Sequence, residues 1–329
     1  MRLLRIALSL CTPLLISAVL AAAEDAPIKV GIIGVDTSHA AEFTKIFNDP
    51  KATGDLAGMK VVAAFPGGSP DLADNAKKIT ENTAKLKELG LEIVDSVEAL
   101  VSKVDVVLVE SVDGRPHLQQ VIPVLKAKKK VFVDKPVGGT LADALEIFRL
   151  AKEQDVPIFS SSALRYCTGI AAARTDPKFG DILGCDAFSP CSLEEHHPDL
   201  YWYGIHGVEA LFTIMGPDCV SVSRTQTKDA EMVVGTWKDG RIGTFRGMRT
   251  GKHDYGATVF GSKAIGPAGG FTGYQGLVVE IAKFFKTGKP PVSADETIEI
   301  YAFMEAADQS KRDGGKPVTI ESVLAKAKK

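Results

Sequence analysis

With 329 residues, 45% of them hydrophobic, the chain is long enough for one large or two medium domains with proper cores. Lys and Arg (39) nearly balance Asp and Glu (41), and both signs are interspersed, so no nucleic-acid partner is expected. The one basic cluster, Lys126-Ala-Lys-Lys-Lys130, falls where a helix gives way to a strand and reads as a solvated helix terminus favoured by the macrodipole.

Residues 1–23 stand apart. MRLLR is positively charged, IALSLCTPLLISAVL is apolar, and Ala21-Ala22-Ala23 supplies small residues before Glu24. This is the plan of a secretory signal peptide, with an apolar part too short and poorly flanked for a membrane span. A periplasmic or secreted mature protein with no membrane span is therefore expected. Arg2 and Arg5 are not adjacent, so the signal for export of a folded protein is missing. Cleavage leaves Cys167, Cys185, Cys191 and Cys219. An oxidising compartment permits disulfides, but spacing assigns no pairs, and buried free thiols are an equal alternative. No C-x-x-C and no Cys/His grouping is present, so no metal is expected.

From residue 27 to about residue 160, strands and helices alternate. IKVGIIGV, MKVVAAF, LEIV, VDVVLVES, KVFVDKP and VPIFSSS are short apolar strands. Between them lie helical stretches such as AAEFTKIFND, DLADNAKKITENTAKLKELG, HLQQVIPVLKAKK and TLADALEIFRLAKEQ. Near-continuous β-branched runs separated by helices predict an α/β, doubly wound parallel sheet covered on both faces. The first strand opens as the dinucleotide-binding fingerprint G-x-G-x-x-G does. Gly31 lies within it and Gly34 takes the first glycine position, but Asp36 and His39 stand at the next two. A carboxylate at Asp36 is expected to repel a pyrophosphate, so replacing it with glycine is expected to tighten nucleotide binding. Thr37 and Ser38 can cap the following helix and offer hydroxyl donors, and His39 can donate as well. The second strand ends in Pro66-Gly67-Gly68-Ser69 with Asp71 too far along to serve the ribose. NADP is thus not excluded, Ser69 lying in a loop able to take a 2′-phosphate.

Beyond Ala163 the pattern changes to successive strands: ILGCDAFSP, CVSVSRTQT, AEMVVGTW, RIGTFRGM and DYGATVFG. Lys238-Asp-Gly240 reads as a hairpin turn. YGIHGVEALFTIMG interrupts as a helix, and two more helices are expected to close the chain. Residues 161–329 therefore read as an α+β domain on an open antiparallel sheet, joined to the first near Ser160 to Arg165.

VFVDKP, VDVVLVESVDGRPH and YGIHGVEALFTIMG, in that order, resemble the Gfo/Idh/MocA oxidoreductases over nearly all of the mature chain. The resemblance implies an N-terminal Rossmann domain for NAD or NADP and a C-terminal sheet domain for substrate and assembly, as a homodimer or homotetramer. It matches Lys135 to the lysine of the E-K-P motif, between nicotinamide and substrate, with Asp134 for the usual glutamate and Pro136 following. His117 matches the histidine after the fourth strand. His206 matches the acid/base or substrate-binding histidine of G-x-H-x-x-D, with Glu209 in the aspartate position.

The residues themselves agree. A lysine at the carboxyl end of a parallel strand sits at the ligand crevice and can stabilise an oxyanion during hydride transfer. His206 and Glu209, three apart on one helix, share a face, where the carboxylate can orient the imidazole. Each also has a plainer role open to it: His206 as a helix cap, His117 as an internal hydrogen-bonding group, and Lys135 as a surface residue. Arg165 either holds an anionic substrate group or links the domains. In HHPDLYWYG, Tyr201, Trp202 or Tyr203 can stack on a sugar ring, or the loop is simply packed. Three functions stay open: NAD(P)-dependent hydride transfer on a sugar or polyol, a carbohydrate-binding module without redox activity, and a redox-neutral NAD-dependent lyase or glycosidase. Export weighs against a freely exchanging cofactor, since a chain threaded unfolded carries none with it.

Overall fold

The computed structural model describes residues 26–328; the expected signal peptide, residues 1–23, lies outside them. No helix among the described residues is long and apolar enough to cross a membrane.

The first half alternates β1 (Ile28–Ile33), α1 (Ser38–Phe47), β2 (Met59–Phe65), α2 (Asn75–Glu88), β3 (Glu92–Ile93), α3 (Val97–Val101), β4 (Val106–Val109), α4 (His117–Lys126), β5 (Lys130–Val133), α5 (Leu141–Glu153) and β6 (Ile158–Phe159). All neighbouring strands run parallel in the order β3-β2-β1-β4-β5-β6. That is the doubly wound order whose direction reverses between β1 and β4, where such sheets bind ligands at their carboxyl ends. The expected strands form because their apolar runs are covered on both faces; all four residues of β4 are buried. Helix starts are set by side-chain caps at Thr37, Ser96 and Thr140.

A single 3-10 turn at Ala163–Tyr166 makes the junction. The second half continues with α6 (Thr168–Ala173), β7 (Ile182–Pro190), α7 (Asp199–Trp202), α8 (Gly204–Met215), β8 (Cys219–Gln226), β9 (Ala230–Trp237), β10 (Ile242–Met248), β11 (Gly256–Gly261) and β12 (Ile265–Ala268). It closes with α9 (Gln275–Thr287), α10 (Ala294–Arg312), β13 (Val318–Thr319) and α11 (Ile320–Ala327). The sheet order is β12-β11-β7-β10-β9-β8-β13. The expected hairpin is present, with Thr236 opposite Ile242 and Gly240 at φ 87°.

Two expectations need correction. The sheet is not antiparallel throughout, because β7 and β10 pair in parallel. The chain leaves β7 through α7 and α8 and lays down β8 and β9 first, so β10 returns beside β7 in the same direction. Three helices, not two, close the described chain, and α9 packs back on the first sheet: Leu277, Val278 and Ile281 share one core with Val30, Ile32 and Phe132. On the second sheet, α8 and α10 cover one face, with Phe212 5.6 Å from Trp237 and 5.5 Å from Phe303. The four cysteines of the second half are buried free thiols.

Candidate active site at the carboxyl ends of the parallel strands

The turn after β1 depends on Gly34, which has φ +88°; a Cβ there would lie 2.3 Å from the Ser111 backbone nitrogen. Gly34 thus allows the β1 and β4 loops to touch. Gly31 lies within β1, where a Cβ would meet Val104 and Leu100 at 3.0–3.1 Å. It is a packing glycine, not part of a cofactor loop. Thr37 caps α1 by accepting from the His39 N–H at 3.2 Å, as its sequence position predicts.

Asp36 does not stand free in front of a phosphate. Its carboxylate is enclosed, accepting from Asn75 Nδ2 at 2.8 Å and the Val112 N–H at 3.0 Å. Burial pushes its pKa up against those hydrogen bonds. Asn82, two turns along α2, donates to the carbonyls of Val35 (2.8 Å) and Thr37 (3.4 Å). The β2 end is likewise engaged. The Ser69 carbonyl accepts from Asn75 at 2.8 Å and its hydroxyl bonds Asp113, while Arg115 pairs Asp71 at 2.9 Å. Asp113 is also 2.9 Å from His197, tying this rim to the second domain. His117 is fully buried, its Nε2 2.8 Å from the Ser111 carbonyl, and burial lowers its pKa. Ser69 and His117 are therefore internal fasteners and do not face the cleft.

The cleft itself, about 630 Å³, is lined by Asp36, Thr37, Ser38 and His39 from the first loop and by Lys135 from the end of β5. Trp202, Tyr203 and His206 come to it from the second domain, joined by Tyr255, Phe271 and Tyr274. Lys135 Nζ lies 6.0 Å from the Tyr203 ring centre, within cation–π range. The lysine segment is anchored from far away in sequence, where the Tyr301 hydroxyl accepts from the Val137 N–H at 2.6 Å. Pro136 is buried against Gly114, and Asp134 is buried with one oxygen 2.7 Å from His39 Nδ1. Burial alone would raise the Asp134 pKa; the His39 and Lys135 charges outweigh it and lower it. Beside it, Glu110 is pushed well above the carboxylate range by burial, with the Asp134 charge adding to the effect.

His206 and Glu209 do share a face of α8, but each bonds its own serine. His206 Nδ1 is 2.7 Å from Ser162 Oγ, and Glu209 accepts from Ser161 Oγ at 2.8 Å. Glu209 does not orient the imidazole. It pairs with Arg165, whose guanidinium also meets Glu296 at 2.7 Å. Arg165, in the junction turn, is held between two carboxylates of the second domain, one on α8 and one on α10, so its guanidinium ties the turn to these two helices. Burial, and after it the Lys135 charge, drives the His206 pKa well below its ordinary value, so the ring is neutral at pH 7 with Nε2 left for the cleft. Of the aromatic loop, Trp202 and Tyr203 line the cleft, whereas Tyr201 is fully buried, edge-on to Tyr301 at 5.0 Å. Tyr201 is a core residue.

Sequence reasoning missed Ser161, Ser162, Glu110, Tyr255, Phe271, Tyr274 and the α2 residues Asn75 and Asn82. The serines sat at the carboxyl end of a recognised strand, a usable signal; the others carried none.

A nicotinamide dinucleotide fits this donor set. The amide end of α1 opens onto the cleft at Thr37 and Ser38, Asn82 takes up only carbonyls there, and the Asp36 charge is covered. Lys135 and His206 line the same space.

Comparison with known proteins agrees. The profile of the Gfo/Idh/MocA oxidoreductase family, NAD-binding Rossmann fold, matches residues 28–162. An uncharacterized oxidoreductase of Streptococcus pneumoniae is 27% identical over 169 residues, 46% of this chain and 44% of that protein. The 2,7-anhydro-N-acetylneuraminate hydratase of Escherichia coli is 33% identical over 110 residues, 32% of this chain and 29% of that one. The chain thus spans less than half the length of these curated relatives. Among solved structures, scyllo-inositol dehydrogenase from Lactobacillus casei with bound NAD(H) and scyllo-inositol superposes with a TM-score of 0.72 at 14% identity, covering 90% of this chain and 99% of that one. Myo-inositol 2-dehydrogenase from Lactobacillus plantarum gives 0.73 at 17%, covering 89% and 99%. At such identities the superpositions show a shared fold across both domains. The first domain, residues 28–162, thus matches the Gfo/Idh/MocA oxidoreductase family in sequence, and the whole chain shares the fold of these dehydrogenases.

Proposed function

We propose that this protein is an exported NAD(P)-dependent oxidoreductase that moves a hydride between the nicotinamide and a carbinol carbon of a sugar or cyclic polyol. The observation that carries the reading is the pairing of Lys135 with a neutral His206 from the other domain in one cleft. In the oxidising direction His206 Nε2 accepts the hydroxyl proton, with Nδ1 held by Ser162. The Lys135 ammonium holds the same oxygen and stabilises the charge that develops on it. Trp202 and Tyr203 offer apolar ring faces to the substrate, and Thr37 and Ser38 hold the diphosphate. NAD(P), when bound, supplies the hydride acceptor.

The dehydrogenases of inositols among the structural neighbours support the polyol class. Incubating the mature chain with NAD or NADP and a panel of cyclic polyols and hexoses tests the reading. Reduced nicotinamide should accumulate with at least one substrate, and its absence with all of them, despite measurable nucleotide binding, sinks it.

One observation favours a second reading, redox-neutral elimination or hydration: the hydratase relative. Under that reading product forms while no net reduced nicotinamide appears. Export is part of the proposal and rests on residues 1–23; N-terminal sequencing from the native cells should start near Glu24, and an intact Met1 in the cytoplasmic fraction refutes it. Assembly as a homodimer or homotetramer is also part of it, supported by the exposed Ile242 and Ile265 on the second sheet.

A further inference from the structure

We propose that His39, Glu110 and Asp134 form a binding site for one divalent transition-metal ion of the Zn²⁺ or Mn²⁺ class, beneath the cleft and next to Lys135. This goes beyond the hydride-transfer reading and does not depend on it. The three residues come from the start of α1 and the carboxyl ends of β4 and β5, and one ligand atom from each lies within 4.8 Å of the other two. His39 Nδ1 is 2.7 Å from an Asp134 oxygen and 3.8 Å from a Glu110 oxygen. An ion about 2.1 Å from each would need ligand atoms roughly 3.0–3.5 Å apart, so the two His39 distances need shifts of only a few tenths of an ångström.

The independent sign of a ligand is what the carboxylates lack. Glu110 is fully buried and neither of its oxygens has a hydrogen-bond partner; the second oxygen of Asp134 has none either. Leaving three such atoms unpaired is costly, and a cation bound between the two carboxyl groups and the imidazole would satisfy them together. One imidazole with two carboxylates suits a first-row transition ion better than calcium or magnesium, which take oxygen ligands alone. The imidazole is fixed in place by packing, stacked on Phe43 at 5.1 Å and edge-on to Tyr274 at 4.7 Å. Three protein ligands leave a coordination position vacant, and His39 already lines the cleft from which an ion or a substrate oxygen would enter.

The test uses the untagged mature chain, stripped with a chelator and titrated with ZnCl₂ or MnCl₂ in the absence of nucleotide. Calorimetry should give one ion per chain, and bound Mn²⁺ should lose its sharp aqueous resonance signal. Glu110→Gln preserves shape and His39→Ala removes the nitrogen; each should weaken binding roughly a hundredfold or more. Glu110→Gln should keep the circular dichroism of the parent, so a loss of binding there is not a loss of fold. No binding by the parent chain overturns the proposal and leaves a trapped water as the occupant. Binding that survives both substitutions places the ion elsewhere and overturns it equally. Neither failure touches the hydride-transfer reading, which is measured with nucleotide and substrate.

Discussion

Lys135 and His206 were legible as residues because each sits in a recognisable local frame, a strand end before proline and a helix start after an aromatic loop. What they touch was not legible. His39 meets Asp134 95 positions away, His206 meets Ser162 44 away, and Val137 meets Tyr301 164 away; nothing local encodes such pairs. Asp36 shows the cost of judging a charge by position alone. Read in sequence it repels a phosphate, whereas in the structure it braces the β2 and β4 loops. Asp36→Gly should therefore lower stability by about 1–3 kcal/mol, because the Val112 N–H and the Asn75 amide lose a buried acceptor. Nucleotide affinity should not rise. Thermal melts and calorimetric titration of the two proteins check this, and a tenfold gain in affinity would reinstate the repulsion.

Lys135 and His206 are also coupled electrostatically. Lys135→Met should lower kcat about 10²- to 10³-fold by removing the oxyanion partner. The sign of its second effect follows from the causes of the His206 shift, burial first and the lysine charge next. In the parent the proton-accepting form persists as pH falls through about 6.5, the ordinary histidine value. Without the lysine the pKa moves back up, so the acid limb of kcat/KM should shift towards that value. An unshifted limb would mean that the two groups do not share the cleft in solution. For stability the order is reversed: the unfolded chain takes up the proton first, so His206 costs nothing above about pH 6.5 and destabilises progressively below it.

At the scale of elements, the parallel sheet was readable almost strand by strand, since β-branched runs buried on both faces leave a strong signal. The second sheet was readable as strands but not as a topology. Whether β10 pairs in parallel or antiparallel with β7 depends on the route through α7 and α8, which periodicity does not contain. The return of α9 to the first sheet was hidden for the same reason, its apolar stripe being the same whichever sheet it covers. α10 makes the corresponding long reach to the active site through Tyr301. Tyr301→Phe keeps the packing against Tyr201 and removes only the acceptor of the Val137 N–H. It should cost about 1–3 kcal/mol in chemical denaturation and lower kcat by loosening the segment that carries Lys135. Parent-like stability would show that water replaces the hydroxyl.

For the whole molecule, the two faces of the second sheet are unlike. α8 and α10 bury one; across the other, Ile265, Phe260, Gly184, Ile242 and Thr236 stand in one row, because each is the register partner of the next. Ile265 is 68% exposed and Ile242 55%. Phe188, Met232 and Val234 extend the same face, only partly covered. A largely apolar row running across five strands is more than the scattered hydrophobic residues that monomer surfaces tolerate, and the same face on two copies can pair about a two-fold axis. The cleft opens at the junction with the first domain, so pairing through the outer face leaves it accessible. Light scattering of the mature protein should accordingly give a dimer or a tetramer. Ile242→Lys places a charge in the middle of the row without touching the inner core, since its neighbour Gly243 faces Leu211 and Trp237 instead. The variant should fall to a smaller assembly, with the melting temperature becoming independent of concentration if a monomer results. A parent protein that is already monomeric at micromolar concentration would show that the strip is left bare or covered by something other than a second copy.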